Sequence, residues 1–183
     1  MKRHLLPLLC ALLSLTLFLP GCAYFSFTRE TTAEQQRREQ RYDDAAIKTE
    51  IASALLRKNP AKANTVSVRC FNGHVFLIGE ADREFRNAAT EIAQSAHGVT
   101  KVTTHWFPAG TASGGIDAVT ESSIESSILR ADPVRARGVT VDVWGGHAVL
   151  TGFANNQSQI DTAVAKIRQM KPVKSVTSYV TLY

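Results

Sequence analysis

Hydrophobic and polar positions follow two rhythms along this chain, one of helical and one of strand period, and their order occurs twice. Ile47, Ile51, Ala54 and Leu55 recur at helical spacing on one face. Asp43 or Asp44 is placed to cap that helix, because a carboxylate accepts the free N–H groups of a first turn. Asn59-Pro60 ends it. Val66, Val68 and Cys70 then alternate with Ser67, Arg69 and Phe71, the period of a half-buried strand. Asn72-Gly73 reads as a hairpin turn, whose two central residues need positive φ. His74 to Ile78 returns as a second strand, closed by Gly79. Asp82 or Arg83 opens a second helix with Phe85, Ala88, Ala89, Ile92 and Ala96 inward, Gly98 ends it, and Val99 to Phe107 is a last strand. The order is αββαβ.

The same order runs again from Asp117 to Tyr183. Residues 44–81 align without a gap on residues 117–154, and about 15 of the 38 pairs are identical, among them Asp44/Asp117, Ile51/Ile124, Val66/Val139, Gly73/Gly146, His74/His147 and Gly79/Gly152. The second helix of the copy falls into register if one residue is inserted before it and one removed after it. Its inward set is Ile124, Ile128, Val139, Val141, Val143, Leu150, Ile160, Ala163, Val164, Ile167, Val176 and Val180, and its turn is Gly145-Gly146. The expected fold class is therefore α+β, with tandem αββαβ domains at 43–107 and 117–183. A small-residue linker at 108–116, expected to be flexible, joins them. Each unit is short for an independent core, so docking of one on the other would add burial.

The N-terminus carries a different pattern. Lys2, Arg3 and His4 precede an uncharged, Leu-rich stretch from Leu5 to Leu19, and Leu19-Pro20-Gly21-Cys22 follows. This reads as a secretory signal at 1–21, because the stretch is too short for a comfortable transmembrane helix. Cys22 after a small residue resembles a bacterial lipobox. That resemblance implies cleavage before Cys22, a diacylglyceryl group on its thiol and acylation of the new amine. Several acyl chains hold a protein durably where one does not. Ala23, rather than Asp, favours the outer membrane, facing the periplasm. Residues 22–42 lack apolar periodicity after Phe27 and are Gln-rich and charged, as expected of a lipid-anchored, flexible tether.

Composition excludes more than it proposes. With Cys10 in the signal and Cys22 acylated, Cys70 is the remaining cysteine, so no disulfide framework is expected, and Cys70 reads as a buried apolar residue. No Cys/His spacing suits a metal, and no cofactor motif is present; no strand–G-x-G-x-x-G–helix occurs. The net charge of +5 falls to about +3 once Lys2 and Arg3 are removed. No basic run or groove-reading motif suggests nucleic acid. Ser122, Ser123, Ser126 and Ser127 have no His–acid pair to activate them, so no catalytic residue is assigned and the chain does not read as an enzyme.

What remains are surfaces. Arg130, Arg135 and Arg137 bracket the end of the second repeat's first helix, and Lys166, Arg168, Lys171 and Lys174 cluster at the end of its second helix. Cations there complement helix dipoles, or form a phosphate-binding rim worth about 1 kcal/mol per charge near an anionic surface. Phe71 and Trp144 precede each turn on the outward strand face, either as a contact surface or as packing between the domains. His74 and His147 read as exposed hairpin residues.

The pattern Val-x-Val-x-x-x-Asn-Gly-His-Val-x-Leu-x-Gly-x-Ala, followed by a helix ending in Gly-Val-x-x-Val, resembles the BON domain. Asp44, Val66, Val68, Gly73, Val75, Leu77, Gly79, Gly98, Val99 and Val102 carry the likeness in the first repeat. Asp117, Val139, Val141, Gly146, Leu150, Gly152, Val173 and Val176 carry it in the second. The resemblance implies a three-stranded mixed sheet packed against two helices in each copy. With the lipobox, it implies an outer-membrane lipoprotein that binds phospholipid, anionic by expectation, and supports envelope integrity. The alternative is a protein-interaction scaffold docking onto envelope assembly or peptidoglycan-associated partners. The second repeat departs from the family pattern at Lys171-Pro172-Val173, where Gly-Val is usual. Its first helix opens Asp117-Ala-Val-Thr120 without an aromatic residue.

Overall fold

The structure, a computed structural model, describes residues 32–131 and 138–182. The first repeat comprises α1 (Thr32–Lys58), the single-turn α2 (Pro60–Ala63), β1 (Val66–Phe71), β2 (His74–Glu80), α3 (Arg83–Ser95) and β3 (Lys101–Phe107). The second comprises α4 (Gly115–Ala131), β4 (Val139–Trp144), β5 (His147–Ala154), α5 (Gln157–Arg168) and β6 (Ser175–Leu182). Each repeat forms a three-stranded sheet, β1-β2-β3 and β4-β5-β6, with an antiparallel hairpin and a parallel third strand. The α+β class, the αββαβ order and the mixed sheets are as the sequence led us to expect.

Local expectations are corrected at several points. The first helix opens at Thr32, eleven residues before Asp43, because Ala33 to Arg41 is an unbroken run of good helix formers. Within 22–42, then, the segment from Thr32 onward is helical, and neither Asp43 nor Asp44 is a cap. The register of the second repeat also differs. His74 pairs with Lys101, and His147 with Ser175. The inserted residue before α5 therefore persists to the C-terminus, and no residue is removed after it.

Asp44 and Asp117 have another role. Asp44 Oδ2 accepts the Asn72 N–H at 2.8 Å and its Oδ1 the Gly73 N–H at 2.9 Å. Asp117 Oδ2 accepts Gly145 N–H at 2.7 Å and its Oδ1 Gly146 N–H at 3.0 Å. In each repeat a helical carboxylate thus clasps the hairpin turn. The positive φ of Asn72-Gly73 and Gly145-Gly146 (51°, 73°, 57° and 85°) turns successive amides toward it. Gly79 and Gly152 recur for a different reason: a Cβ there would lie 2.1 Å from Thr65 O and 1.8 Å from Gly138 O, so the preceding backbone approaches where a side chain would stand.

Helices cover one face of each sheet. Ile47, Ile51, Leu55, Val68, Val75, Leu77, Phe85, Ala89 and Ala93 form the first core. Ile124, Val141, Val143, Ala148, Leu150 and Ile167 form the second. The uncovered faces meet each other. Phe76, Ile78, Phe107 and Val149 are buried between the sheets, with Phe71, Trp144 and Tyr179 packed around them. Burying each of these large side chains contributes about 1.5–3 kcal/mol. One charged pair crosses this apolar layer. Arg69 Nε and Nη2 donate to Asp142 Oδ2 and Oδ1 at 3.0 and 2.7 Å, and Ser67 Oγ donates to Oδ1 at 2.6 Å. The Asp142 side chain is 5% exposed and that of Arg69 23%. Burial works against the guanidinium charge, and the bond and charge of Asp142 outweigh it, so the Arg69 pKa stays raised.

The linker is tied down rather than free. Glu80 accepts the N–H groups of Gly110 (2.7 Å) and Ala112, and Ser113 N–H donates to Asp117 Oδ2 at 2.5 Å.

Two outcomes are expected in denaturant unfolding. Asp44→Ala and Asp117→Ala each cost about 1–3 kcal/mol, with the larger loss at Asp117, which is buried and holds three N–H groups. Asp142→Ala costs about 3–5 kcal/mol, because it strands a largely buried guanidinium. The double variant with Arg69→Ala loses less than the sum of the two singles.

Candidate functional site

Three segments meet at one end of the second repeat: the start of α4, the β4–β5 turn and the α5–β6 loop. Asp117 binds the turn to the helix start. Lys174 N–H donates to Gly146 O at 2.8 Å, binding the loop to the turn. The position a Cβ would take on Gly146 lies 2.8 Å from Pro172 O and 3.3 Å from the Lys174 Cγ, so the loop backbone and the lysine stem rest on the glycine. A side chain at 146 would push both away.

This end carries an apolar pair and two cations. Ile116 and Val119, one turn apart on α4, are 62% and 68% exposed. Asp117 and Thr120 between and after them are buried, and Ile124 is fully so. The helix therefore turns its core face inward and sets Ile116 and Val119 outward. Lys171 and Lys174 are exposed on the adjoining loop. Sequence periodicity placed Ile124 and Ile128 on the inward face but gave no role to Ile116 and Val119. The available signal was that both fall outside that inward stripe.

The other expected residues are distributed as follows. Lys166 and Arg168 are exposed on α5, before the loop. Arg130 lies in α4 with its side chain outside the described residues, and Arg135, Arg137 and Cys22 lie outside them altogether. Phe71 and Trp144 do not form an outward patch. Phe71 packs edge-on against Phe76 and Phe153, at 6.2 and 6.1 Å between centroids, and Trp144 stacks on Phe107 at 6.2 Å. Both are spent between the sheets, the packing alternative. Cys70 is half-buried, and its thiol donates to Asp44 Oδ1 at 3.3 Å. Burial, then the Asp44 charge, push it up to about 12, which leaves it protonated and unreactive. Among the described residues no group of three His, Cys, Asp or Glu could hold a metal ion, and no helix is long and apolar enough to cross a membrane.

Residues 43–105 and 116–182 each match the family described as BON domain. Osmotically-inducible protein Y of Escherichia coli is 29% identical over 140 residues, covering 73% of this chain and 70% of its own. The 21 kDa hemolysin of Actinobacillus pleuropneumoniae is 44% identical over 59 residues, which span 32% of this chain and 30% of the hemolysin. Among solved structures, the C-terminal domain of CdsD, a structural protein of the type III secretion system of Chlamydia trachomatis, is 20% identical, with a TM-score of 0.33. That match covers 76% of this chain and 67% of the chain of that domain.

The histidines are less exposed than hairpin positions suggest. His74 Nε2 is 2.8 Å from Thr103 Oγ1 and its ring lies 4.0 Å from Phe76. His147 Nδ1 is 2.7 Å from Ser175 Oγ. A third, His105, is assigned no role by periodicity, yet it sits between the sheets with Nδ1 2.9 Å from Tyr179 Oη and its ring edge-on to Phe107. Its place two residues before Phe107, on the strand face turned from the helices, was the signal. Burial, then the charge of His147, lower the His105 pKa below its ordinary 6.5; burial and Lys101 lower that of His74. Below pH 6.5 the unfolded chain then binds more protons than the folded one, so stability falls as pH drops through and below 6.5. We expect the urea midpoint to decrease from pH 7.5 to pH 5.5, and the slope to flatten in His105→Gln.

Proposed function

The chain belongs to the BON-domain family, and on that footing we propose that it is an outer-membrane lipoprotein, anchored through Cys22 and facing the periplasm. Its second BON domain binds anionic phospholipid, and the protein serves envelope integrity through that contact rather than through a catalytic step. The observation that carries this reading is the end of the second repeat. Ile116 and Val119 stand exposed on α4, and Lys171 and Lys174 stand exposed on the loop that the turn ties to the start of that helix. An apolar pair rimmed by cations is what a headgroup–acyl boundary accepts: the apolar side chains enter it and the cations stay at the phosphates. The rim also narrows the set of cations inferred from sequence. Lys171 and Lys174 lie on the loop tied to the turn, while Lys166 and Arg168 sit farther back along α5.

Two further points support the reading. A tethered module sits beside its ligand at high effective concentration, so a weak site suffices. A relative named for osmotic induction and another named a hemolysin are both compatible with work at a membrane. The scaffold alternative drew on Phe71 and Trp144 as an outward surface, and both residues are used within the molecule.

The test is co-sedimentation of residues 23–183 with vesicles of zwitterionic lipid, with and without anionic lipid, at low and high salt. Binding is expected to the anionic vesicles alone and to weaken with salt. Lys171→Gln with Lys174→Gln is expected to weaken it about 30-fold, from about 1 kcal/mol per charge. Ile116→Ser with Val119→Ser is expected to abolish it without changing thermal stability. Binding that ignores salt and these four positions would overturn the reading.

A further inference from the structure

The two repeats are not equally filled. The helix caps fix their alignment in this region. Asp82 accepts the Phe85 N–H in the first repeat, and Asn156 accepts the Gln159 N–H in the second. Phe85 and Gln159 are therefore equivalent, and the inserted residue carries the same shift onward, from Ile92 to Lys166 and from Trp106 to Val180. Three large apolar residues of the first repeat are thus replaced by an amide, a cation and a smaller aliphatic residue. Phe85 is 3% exposed in the first core, with Ile92 and Trp106 packed against the same cluster. In the second repeat Gln159, Lys166 and Val180 all line one cavity of about 240 Å³, whose remaining walls include Val139, Leu150 and Ile167.

The polar groups at this cavity are unevenly satisfied. Gln159 Oε1 accepts the Asn155 N–H at 3.2 Å, whereas its Nε2 is buried without a hydrogen-bond partner. A buried amide donor left unmade costs free energy, and its natural remedy is an acceptor brought in by a ligand. Lys166 lies on the exposed side of α5, where its stem can follow the wall while its ammonium stays in water. Together these features specify an occupant: an apolar body against the aliphatic walls, and an oxygen-rich, anionic head at Gln159 and Lys166. An apolar cavity of about 150 Å³ already admits benzene, and one of 240 Å³ admits an acyl segment of about eight carbons.

We propose that the second repeat holds a single acyl chain with an anionic head in this cavity, a site distinct from the surface formed by Ile116, Val119, Lys171 and Lys174. The head chemistry is shared by a fatty-acid carboxylate and by a lysophospholipid phosphate. The experiment uses residues 23–183, which contain every described residue, with the methyls of Ile160, Ile167 and Val180 observed by NMR. Decanoate, decanol and a ten-carbon lysophosphatidylglycerol are titrated below their aggregation limits. Decanoate or the lysolipid is expected to shift these methyls saturably, and the tighter of the two identifies the source. Gln159→Phe, which restores the first repeat's residue, is expected to weaken binding at least tenfold while holding or raising the melting temperature. Ala163→Met narrows the same space from α5 and serves should that variant fail to fold. Lys166→Gln is expected to weaken decanoate several-fold and leave decanol unchanged. Methyls that respond to neither anionic probe, together with a higher melting temperature in Gln159→Phe or Ala163→Met, would mark the cavity as an underfilled core and overturn the proposal. Decanol bound as tightly as decanoate would overturn it too.

Discussion

A three-stranded sheet with helices on one side only leaves its other face bare, and in this chain each repeat is the cover for the other. Phe76, Ile78, Phe107 and Val149 are buried only because the second sheet lies across the first. Repeats of this length have small cores, and burial between them adds what neither supplies alone. Much else follows from this docking. It draws in Phe71, Trp144 and Tyr179 and sets His105 against Tyr179. It also explains why Phe76, Ile78, Val149 and Phe153 stand at outward positions of the central strands, where a solvated face would carry polar residues.

The docking joins like to unlike. Arg69 and Asp142 occupy equivalent positions in the two repeats and bond to each other; His105 and Tyr179, equivalent under the shifted register, do the same. Contacts between equivalent positions are the mark of an isologous interface, in which the same surface patch is used by both partners. In two copies of the first repeat Arg69 would meet Arg69, and in two copies of the second Asp142 would meet Asp142, each a buried like-charge pair. The divergence at these positions therefore favours the mixed pairing within one chain over pairing between chains through a single kind of repeat. A buried ion pair is weak evidence for stability, since apolar residues could fill the same space; its use here is to fix which face meets which.

Much of this organisation was legible in the sequence, and the limits have physical causes. Strand alternation around Val66–Cys70 and Val139–Val143, the positive-φ turns and the helical stripes are local signals, so the elements and their order could be read directly. Asp44 and Asp117 were legible as recurring residues but not as turn clasps, because a carboxylate at a helix start has a simpler local explanation as a cap, and its partners lie 28 residues or more away in sequence. The helical extension back to Thr32 was missed because periodicity detects a buried face, and Ala33 to Arg41 has none. The candidate site was half visible. Lys171 and Lys174 stand out in the sequence as cations, but only the fold joins their loop, through the Gly145-Gly146 turn, to the start of α4.

The two copies differ in how fully they are packed. The first repeat has the larger apolar residues, Phe85, Ile92 and Trp106, where the second has Gln159, Lys166 and Val180. It also pairs Asn72 with Gly73 at its turn, where the second has two glycines. Among the described residues, the second repeat sets an exposed apolar pair, Ile116 and Val119, on the outer face of its first helix. Exposed apolar groups, a buried amide without a partner and an incompletely filled core all lower stability relative to the first repeat. Such costs concentrate where a protein meets something other than itself. The first repeat, well packed and clasped across the sheet face, is then the frame against which a less stable second repeat holds its shape.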